Sequence, residues 1–451
     1  MVCAVLVVIS WPILHGKTTG LPFWLCLGGL PFLACTGFLA FVLQFHAMAV
    51  FYTRCWNQTG RTANIAWQRW SRRHVVLRAT STLTPTTELA EKIAGLAGSA
   101  PQNRTEVLKL KGFDSDLSAS RTQMVFERLL DDLKADIRAA ATGAAMHVMT
   151  WAGEGANPDD ISRMARAAWK SLDLPLCAVF SARAQIEWSS VGQHALRRST
   201  PLLILCAQLH ENGDALAAFS ESAVALLFDQ TPARQRGNQP VVRVYRPMPT
   251  SIVTMRADLE QFGEVGPFRL GQIRTAWNCA LGKAEGFALV KAVADAGLVL
   301  DGAGSGTVSL SGCIGPAGPV CPWLSLGLAA ELVRYGQGPQ LLAIAQGRDV
   351  ELTVAAAGPP VPVPQSGHAA GADLRGAALL VCVAPWLVVL IGVLFETADL
   401  FPWIVAGVFA AGAFAVLFML AHPLLVRARA ARDVLAAGGR MPARGQAGLY
   451  L

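Results

Sequence analysis

Charge is the scarce ingredient of this sequence. Lys and Arg number 38 and Asp and Glu 31 in 451 residues, so 15% of the chain is charged, where about 25% is usual for soluble proteins. With 53% hydrophobic residues and a mean hydropathy of +0.40, that shortage excludes a disordered or fibrous chain and points to lipid-facing segments. The ten cysteines are scattered and no CxxC pair occurs, which excludes a zinc ribbon and a small disulfide framework. No basic face with interleaved aromatics is present, so nucleic acid is not an expected partner.

The missing charges are concentrated. Lys17 is the one charged residue of 1–53. It separates a short apolar run at 2–14, broken by Trp11 and Pro12, from a longer run at 21–52. The longer run can span a bilayer, for which about 20 apolar residues suffice. The shorter fits a marginal span, a re-entrant segment or part of a longer helix. A cleaved signal peptide is the rival, but a basic n-region and an A-x-A site are both missing. Two spans are expected.

The other end repeats the pattern. Residues 376–395 and 400–426 are charge-free and flank Glu396 and Asp399, as a membrane hairpin would. Basic residues beside spans set orientation. Arg54, Arg61, Arg69, Arg72, Arg73 and Arg78 follow the first pair, and Arg427, Arg429, Arg432, Arg440 and Arg444 follow the second. The large middle region and the C-terminus are therefore expected in the cytoplasm. Arg54, Trp56, Arg72, Arg73, Arg427 and Arg429 are the candidate membrane-interface residues, with the lipid bilayer as partner.

The middle, with 32 basic and 28 acidic residues, is nearly balanced. Its short apolar runs alternate with helical patterns, which predicts an α/β domain. Strands are expected at 74–78, 107–110, 146–151, 202–208, 223–228, 241–245, 298–301, 341–346 and 350–354. Helices are expected at 84–96, 118–141, 157–172, 271–281, 285–296 and 323–335. The resulting organisation is a transmembrane hairpin at 1–53, the α/β domain at 54–357, a Pro/Gly linker at 358–375, a second hairpin at 376–426 and a basic tail at 427–451.

Candidate chemistry is thin. Asp301-Gly-Ala-Gly-Ser-Gly-Thr307 resembles a phosphate loop, but an alternating strand pattern follows it and no Lys-Ser/Thr pair does, which favours a glycine-rich turn. Cys313 and Cys321 lie in a Gly/Pro-rich stretch, and Cys321 stands at a helix start where a thiol can be activated. Neither has an evident base. His210, beside Glu211 at the end of a buried strand, is the weak candidate. Asp131-Asp132 and Asp159-Asp160 read as helix-surface and capping residues. No metal site and no cofactor site is expected.

Two segments are similar to parts of the thiolase, or β-ketoacyl-synthase, fold. One is Pro201-Leu-Leu-Ile-Leu-Cys206 through Glu221-Ser-Ala-Val-Ala-Leu-Leu227, like a central strand, loop and return strand. The other is Gly315-Pro-Ala-Gly-Pro319 through Leu326-Gly-Leu-Ala-Ala-Glu331, like a later glycine-rich loop and helix. The family's catalytic cysteine elbow and histidine pair have no counterpart here. The resemblance implies a thiolase-like domain without the catalytic residues, set between membrane segments. In joining an N-terminal membrane segment to such a domain, the chain also resembles the adaptors that load lipase effectors onto the bacterial type VI secretion apparatus, although the C-terminal hairpin is not part of that pattern. This second resemblance implies a non-enzymatic adaptor or scaffold at the bacterial inner membrane, with a protein partner for its cytoplasmic domain. The alternative is a membrane-associated acyl- or lipid-handling enzyme with a cysteine nucleophile.

Overall fold

The computed structural model describes residues 21–358 apart from 104, 114–119, 142–144, 154–156, 184–185, 187–190, 192–199, 211–217, 230–239, 301–305 and 347–348, with isolated positions near both ends. Only part of the side chains of 21–48 belong to that set. The chain divides into two compact units, Met1–Trp67 with Pro364–Leu451, and Gln68–Val363.

In the first unit the feature described is helix α1 (Leu21–Ser71), with Phe51 and Cys55 buried against Tyr52. The arginine-bearing stretch after residue 53, which holds interface candidates Arg54 and Trp56, continues this helix to Ser71. Among the described residues no helix is long and apolar enough to cross a membrane, so the expected hairpins find no support there. The run at 2–14 is described at isolated positions only. The linker beyond residue 358, the second hairpin and the basic tail with Arg427 and Arg429 lie outside the described residues.

The second unit is a mixed α/β domain on one eleven-stranded sheet. Its first half contains β1 (His74–Leu83), α2 (Leu89–Ile93), α3 (Arg121–Ala140), β2 (Met146–Ala152), α4 (Pro158–Ser171), β3 (Ala178–Ala182), β4 (Leu202–Gln208) and β5 (Ser222–Phe228). The second contains β6 (Val242–Tyr245), β7 (Met248–Thr250), α5 (Met255–Val265), β8 (Thr275–Cys279), α6 (Lys283–Asp295), β9 (Thr307–Ser309), α7 (Leu310–Ile314), α8 (Cys321–Arg334), β10 (Gln340–Gln346) and β11 (Asp349–Ala356).

The strand order is β3-β2-β4-β5-β1-β6-β11-β10-β8-β9, with β7 on β11. In the first half β2 runs parallel to β3 and β4, and β5 runs antiparallel to β4 and β1. In the second, β8 runs parallel to β10 and β9, and β11 antiparallel to β10 and β6. Taking β6, β8, β9, β10 and β11 as first to fifth, both halves have the order 3-2-4-5-1 with the fifth strand reversed. The antiparallel pair β1–β6 joins them. One supersecondary pattern is thus built twice.

The sheet's two faces bury different layers. Leu203, Leu205, Ala223, Ala225 and Leu227 pack against Phe126, Leu129 and Leu133 of α3 and Ile161, Ala165 and Trp169 of α4. On the other face Ile204, Cys206, Val224 and Leu226 meet α8, whose Leu324, Leu326 and Leu328 are buried with Trp277 of β8. Because α8 is apolar almost all round, it belongs in the core. β4 and β5 are buried along their whole length, as their unbroken apolar runs predict. Ser120 caps α3 by accepting from Gln123 N at 3.2 Å. Asn157 caps α4 by accepting from Asp159 N at 3.0 Å, with Pro158 in the first turn.

Several local expectations fail for identifiable reasons. The helix expected at 84–96 shrinks to α2, because Thr84 Oγ1 donates to Thr86 O within a turn and Glu88 takes a left-handed conformation. Residues 107–110 form no strand: Leu108 N donates to Ser220 Oγ, and Leu110 N to Glu221. The helix expected at 271–281 is β8, held between β10 and β9, where sheet pairing outweighs a short apolar period. No strand forms at 298–300, and β9 gives way at once to α7. Strand β3 and helix α5 were not anticipated.

Candidate functional site

The two cysteines sit in the core. Cys321, 3% exposed, opens α8 with its Sγ 3.8 Å from Ser325 Oγ. Burial outweighs the Ser325 and Ala280 hydrogen bonds and pushes its thiol up to about 11. Cys279, at the end of β8, also interacts with Ser325 and is raised further by burial and by Cys321. Cys313, in α7, is raised by burial as well. The hydrogen bonds described for these thiols involve the Ser325 hydroxyl and backbone groups and no imidazole. The thiolate is the nucleophile, and each of these environments opposes it.

His210 is held elsewhere. Its Nε2 lies 2.5 Å from Phe219 O and its Nδ1 3.6 Å from Glu221 Oε1, while its backbone N–H donates to the same carboxylate oxygen at 2.9 Å. Glu221, fully buried, also accepts two 2.6 Å bonds from the Arg121 guanidinium and one from Leu110 N at 2.6 Å. The fork of Arg121 matches a carboxylate edge-on. Next to it, Gln208 Nε2 donates to Ser220 O and Gln208 Oε1 accepts from Val320 N. Ser220 Oγ donates to Ile314 O at 2.7 Å. Gly315 takes φ 88°, and a Cβ there would fall 2.0 Å from Glu106 O, so that loop requires glycine. The network ties the approach to α3, the end of β4 and the loop before α8 into one buried knot.

The open polar site lies at the opposite end of α8. A groove of about 480 Å³ runs between the end of β1, α2, α3 and the last turn of α8. Thr80, Ser81, Thr82, Thr84, Thr86 and Thr87 line one side with hydroxyls, and Glu91, Arg128, Asp132, Glu331 and Tyr335 complete it. Thr82 Oγ1 donates to Glu331 at 3.1 Å, and Ser81 Oγ to Asp132 at 2.8 Å. Tyr335 OH donates to Glu91 at 3.2 Å. Arg334 reaches Thr80 Oγ1 at 2.6 Å. Burial lifts the Glu331 carboxyl to about 7, against the Thr82 bond and the Arg334 charge, which both favour ionisation. A carboxyl poised near neutrality in a groove wall can change charge under physiological conditions. The arrangement suits binding of a polar or cationic group.

Sequence reasoning did not single out this groove. The hydroxyl-rich run Thr80-Ser-Thr-Leu-Thr-Pro-Thr-Thr87 was the available signal. Asp132, read as a helix-surface residue, lies in its wall. Glu331 gives no signal, since its position depends on where α8 ends against β1. Of the interface candidates, Arg54 is exposed and Trp56 half-buried on α1. Arg72 Nη1 donates to Gln68 Oε1 at 3.3 Å, and Arg73 is exposed before β1. Among the described residues no group of three or more His, Cys, Asp or Glu could hold a metal ion. Asp301–Ser305 of the glycine-rich loop and Glu211 lie outside the described residues.

No family model matches this chain, and no curated protein does. Among solved structures it is similar to a type II polyketide ketosynthase complex with its acyl-carrier protein, at 11% identity and a TM-score of 0.47 over 63% of this chain and 99% of that one. It is similar to the ishigamide ketosynthase/chain length factor at 18% and 0.44, over 63% and 99%. It is also similar to 3-oxoacyl-(acyl carrier protein) synthase III of Pseudomonas aeruginosa at 14% and 0.37, over 64% and 100%. These neighbours are thiolase-like in fold, the class expected for the middle region. At such identities and TM-scores the likeness extends to no statement about chemistry.

Proposed function

We propose that this chain is a non-enzymatic adaptor of a bacterial inner membrane, attached through charge-free segments near both ends and presenting its α/β domain to a protein partner in the cytoplasm. The observation that carries this reading is the placement of Cys321 and Cys313 in apolar core, with burial raising both thiols. A cysteine-dependent acyl- or lipid-handling enzyme needs the reverse, an accessible thiol beside a base. The groove at the end of α8 supplies an accessible polar surface for recognition. The charge-free sequence at 21–52, 376–395 and 400–426, with arginines following each pair, supports membrane attachment and a cytoplasmic domain. Loading of a secreted effector, as in the type VI lipase adaptors, is the partner role that the sequence resemblance supports.

Thiol titration tests the carrying observation. In the native chain Cys321 and Cys313 should react with an aromatic disulfide reagent at least ~100-fold more slowly than in denaturant, because reaction waits for opening of the core. Rapid stoichiometric labelling of Cys321 in the native state would return the enzyme to first place. Reporter fusions at residue 230 test the orientation, and a periplasmic signal there overturns it. Co-purification of the full chain from membranes should bring down a specific protein whose recovery falls on substitution of Glu91 and Asp132.

A further inference from the structure

Large hydrophobic residues left in solvent are unevenly distributed in Gln68–Val363. Half of those described lie in or next to the neighbouring helices α5 and α6: Ile252, Val253, Phe287, Val290 and Val299. Val253 is 92% exposed and Phe287 72%. Helix α6 buries Leu289, Ala292 and Val293. Helical spacing then puts Lys283, Ala284, Phe287, Val290, Lys291 and Ala294 on the opposite face. That face has two lysines and two large apolar groups, with Asp295 at its edge one turn after Lys291. Among the described residues neither lysine has an ion-pair partner. The nearest acid on the helix, Asp295, is engaged by Arg256 of α5 at 3.5 Å. The same contact brings the start of α5 to the end of α6. Val253, just before α5, and Val299, just after α6, are therefore both exposed near the C-terminal end of α6.

Projecting apolar side chains bracketed by lysines match a bilayer surface better than a shaped protein partner. Apolar groups enter the acyl boundary while lysine stems reach back to phosphates. We propose that the outward face of α6, with the Ile252-Val253 and Val299 tips, docks on an anionic lipid surface. The proposal rests on the membrane attachment read above and adds a second, peripheral contact by the α/β domain itself. Anionic lipids attract each nearby lysine, so the contact depends on head-group charge.

The full chain is reconstituted in vesicles of phosphatidylcholine alone or with 30% phosphatidylglycerol, and amide hydrogen exchange of residues 249–256 and 283–299 is followed. Exchange there should be about tenfold slower on the anionic vesicles. Lys283→Gln with Lys291→Gln, and separately Phe287→Ser, should abolish that difference while leaving exchange in β4 and β5 unchanged. Equal exchange on both vesicles, or protection that survives the substitutions, overturns the proposal. Protection that rises with protein concentration in the absence of lipid also overturns it and assigns the face to a second copy of the chain. Retention of the chain on vesicles after an alkaline carbonate wash reports attachment through the charge-free segments alone, so failure of that reading shows separately.

Discussion

Arg121→Ala should lower the unfolding free energy of the α/β domain by about 3–5 kcal/mol, the usual cost of removing one partner from a buried ion pair. Glu221 is fully buried and Arg121 supplies both of its side-chain hydrogen bonds. Without the guanidinium the carboxylate keeps the N–H groups of Leu110 and His210 but loses its neutralising charge. Denaturant midpoints of the full chain, followed by tryptophan emission, give the measurement. Glu221→Gln should also destabilise, since its amide NH2 would face two of the four N–H donors that the carboxylate accepts and Arg121 would lose its counter-charge. The pair Arg121→Met with Glu221→Leu should recover a large part of the loss, because neither charge then remains buried. A loss under about 1 kcal/mol for Arg121→Ala, the range of exposed pairs, would mean that water reaches Glu221.

Glu331→Gln should stabilise the domain increasingly as pH rises. The folded carboxyl titrates at about 7 against an ordinary value of 4.5. Between those limits the folded chain holds a proton that the unfolded chain has released. Stability therefore falls as pH climbs from about 4.5 to about 7, and the loss levels off above that. The ceiling on this loss is about 3 kcal/mol at about 1.4 kcal/mol per unit, and partial solvent access in the groove reduces it. Glutamine keeps an acceptor for Thr82 and removes the ionisation. The variant and the parent should match near pH 4 and diverge by up to a few kcal/mol at pH 8. A difference that stays flat across this range would show that Glu331 is ionised throughout and balanced by Arg334. Partner binding through the groove should change over the same interval, since one wall charge appears within it.

The long uninterrupted apolar runs were the most legible elements. Residues 202–208 form a strand over the span expected, and 223–228 form all but the first residue of β5, because a strand buried on both faces needs an unbroken apolar run. The caps at Ser120 and Asn157 lie where short polar side chains precede amphipathic periods. Short elements were illegible for a different reason. Thr275–Cys279 is a strand because β9 and β10 offer it partners, and five residues cannot encode that by themselves. The repeated 3-2-4-5-1 order was also hidden, since strand order is fixed by contacts between distant segments.

The composition posed a choice between a domain with an unusually apolar core and one with an apolar docking face. Both are present. β4, β5 and most of α8 account for the core, and the exposed face of α6 is the smaller, lysine-bearing share. The sequence by itself determined the charge-free runs near both ends and the α/β class of the middle, because each follows from residue type and local period. The tertiary structure decided what Cys321, His210, Glu221 and Glu331 do. The ionisation of Cys321 and Glu331 depends on burial and on neighbours as distant in sequence as Thr82, 249 residues before Glu331, and no local pattern specifies such distances.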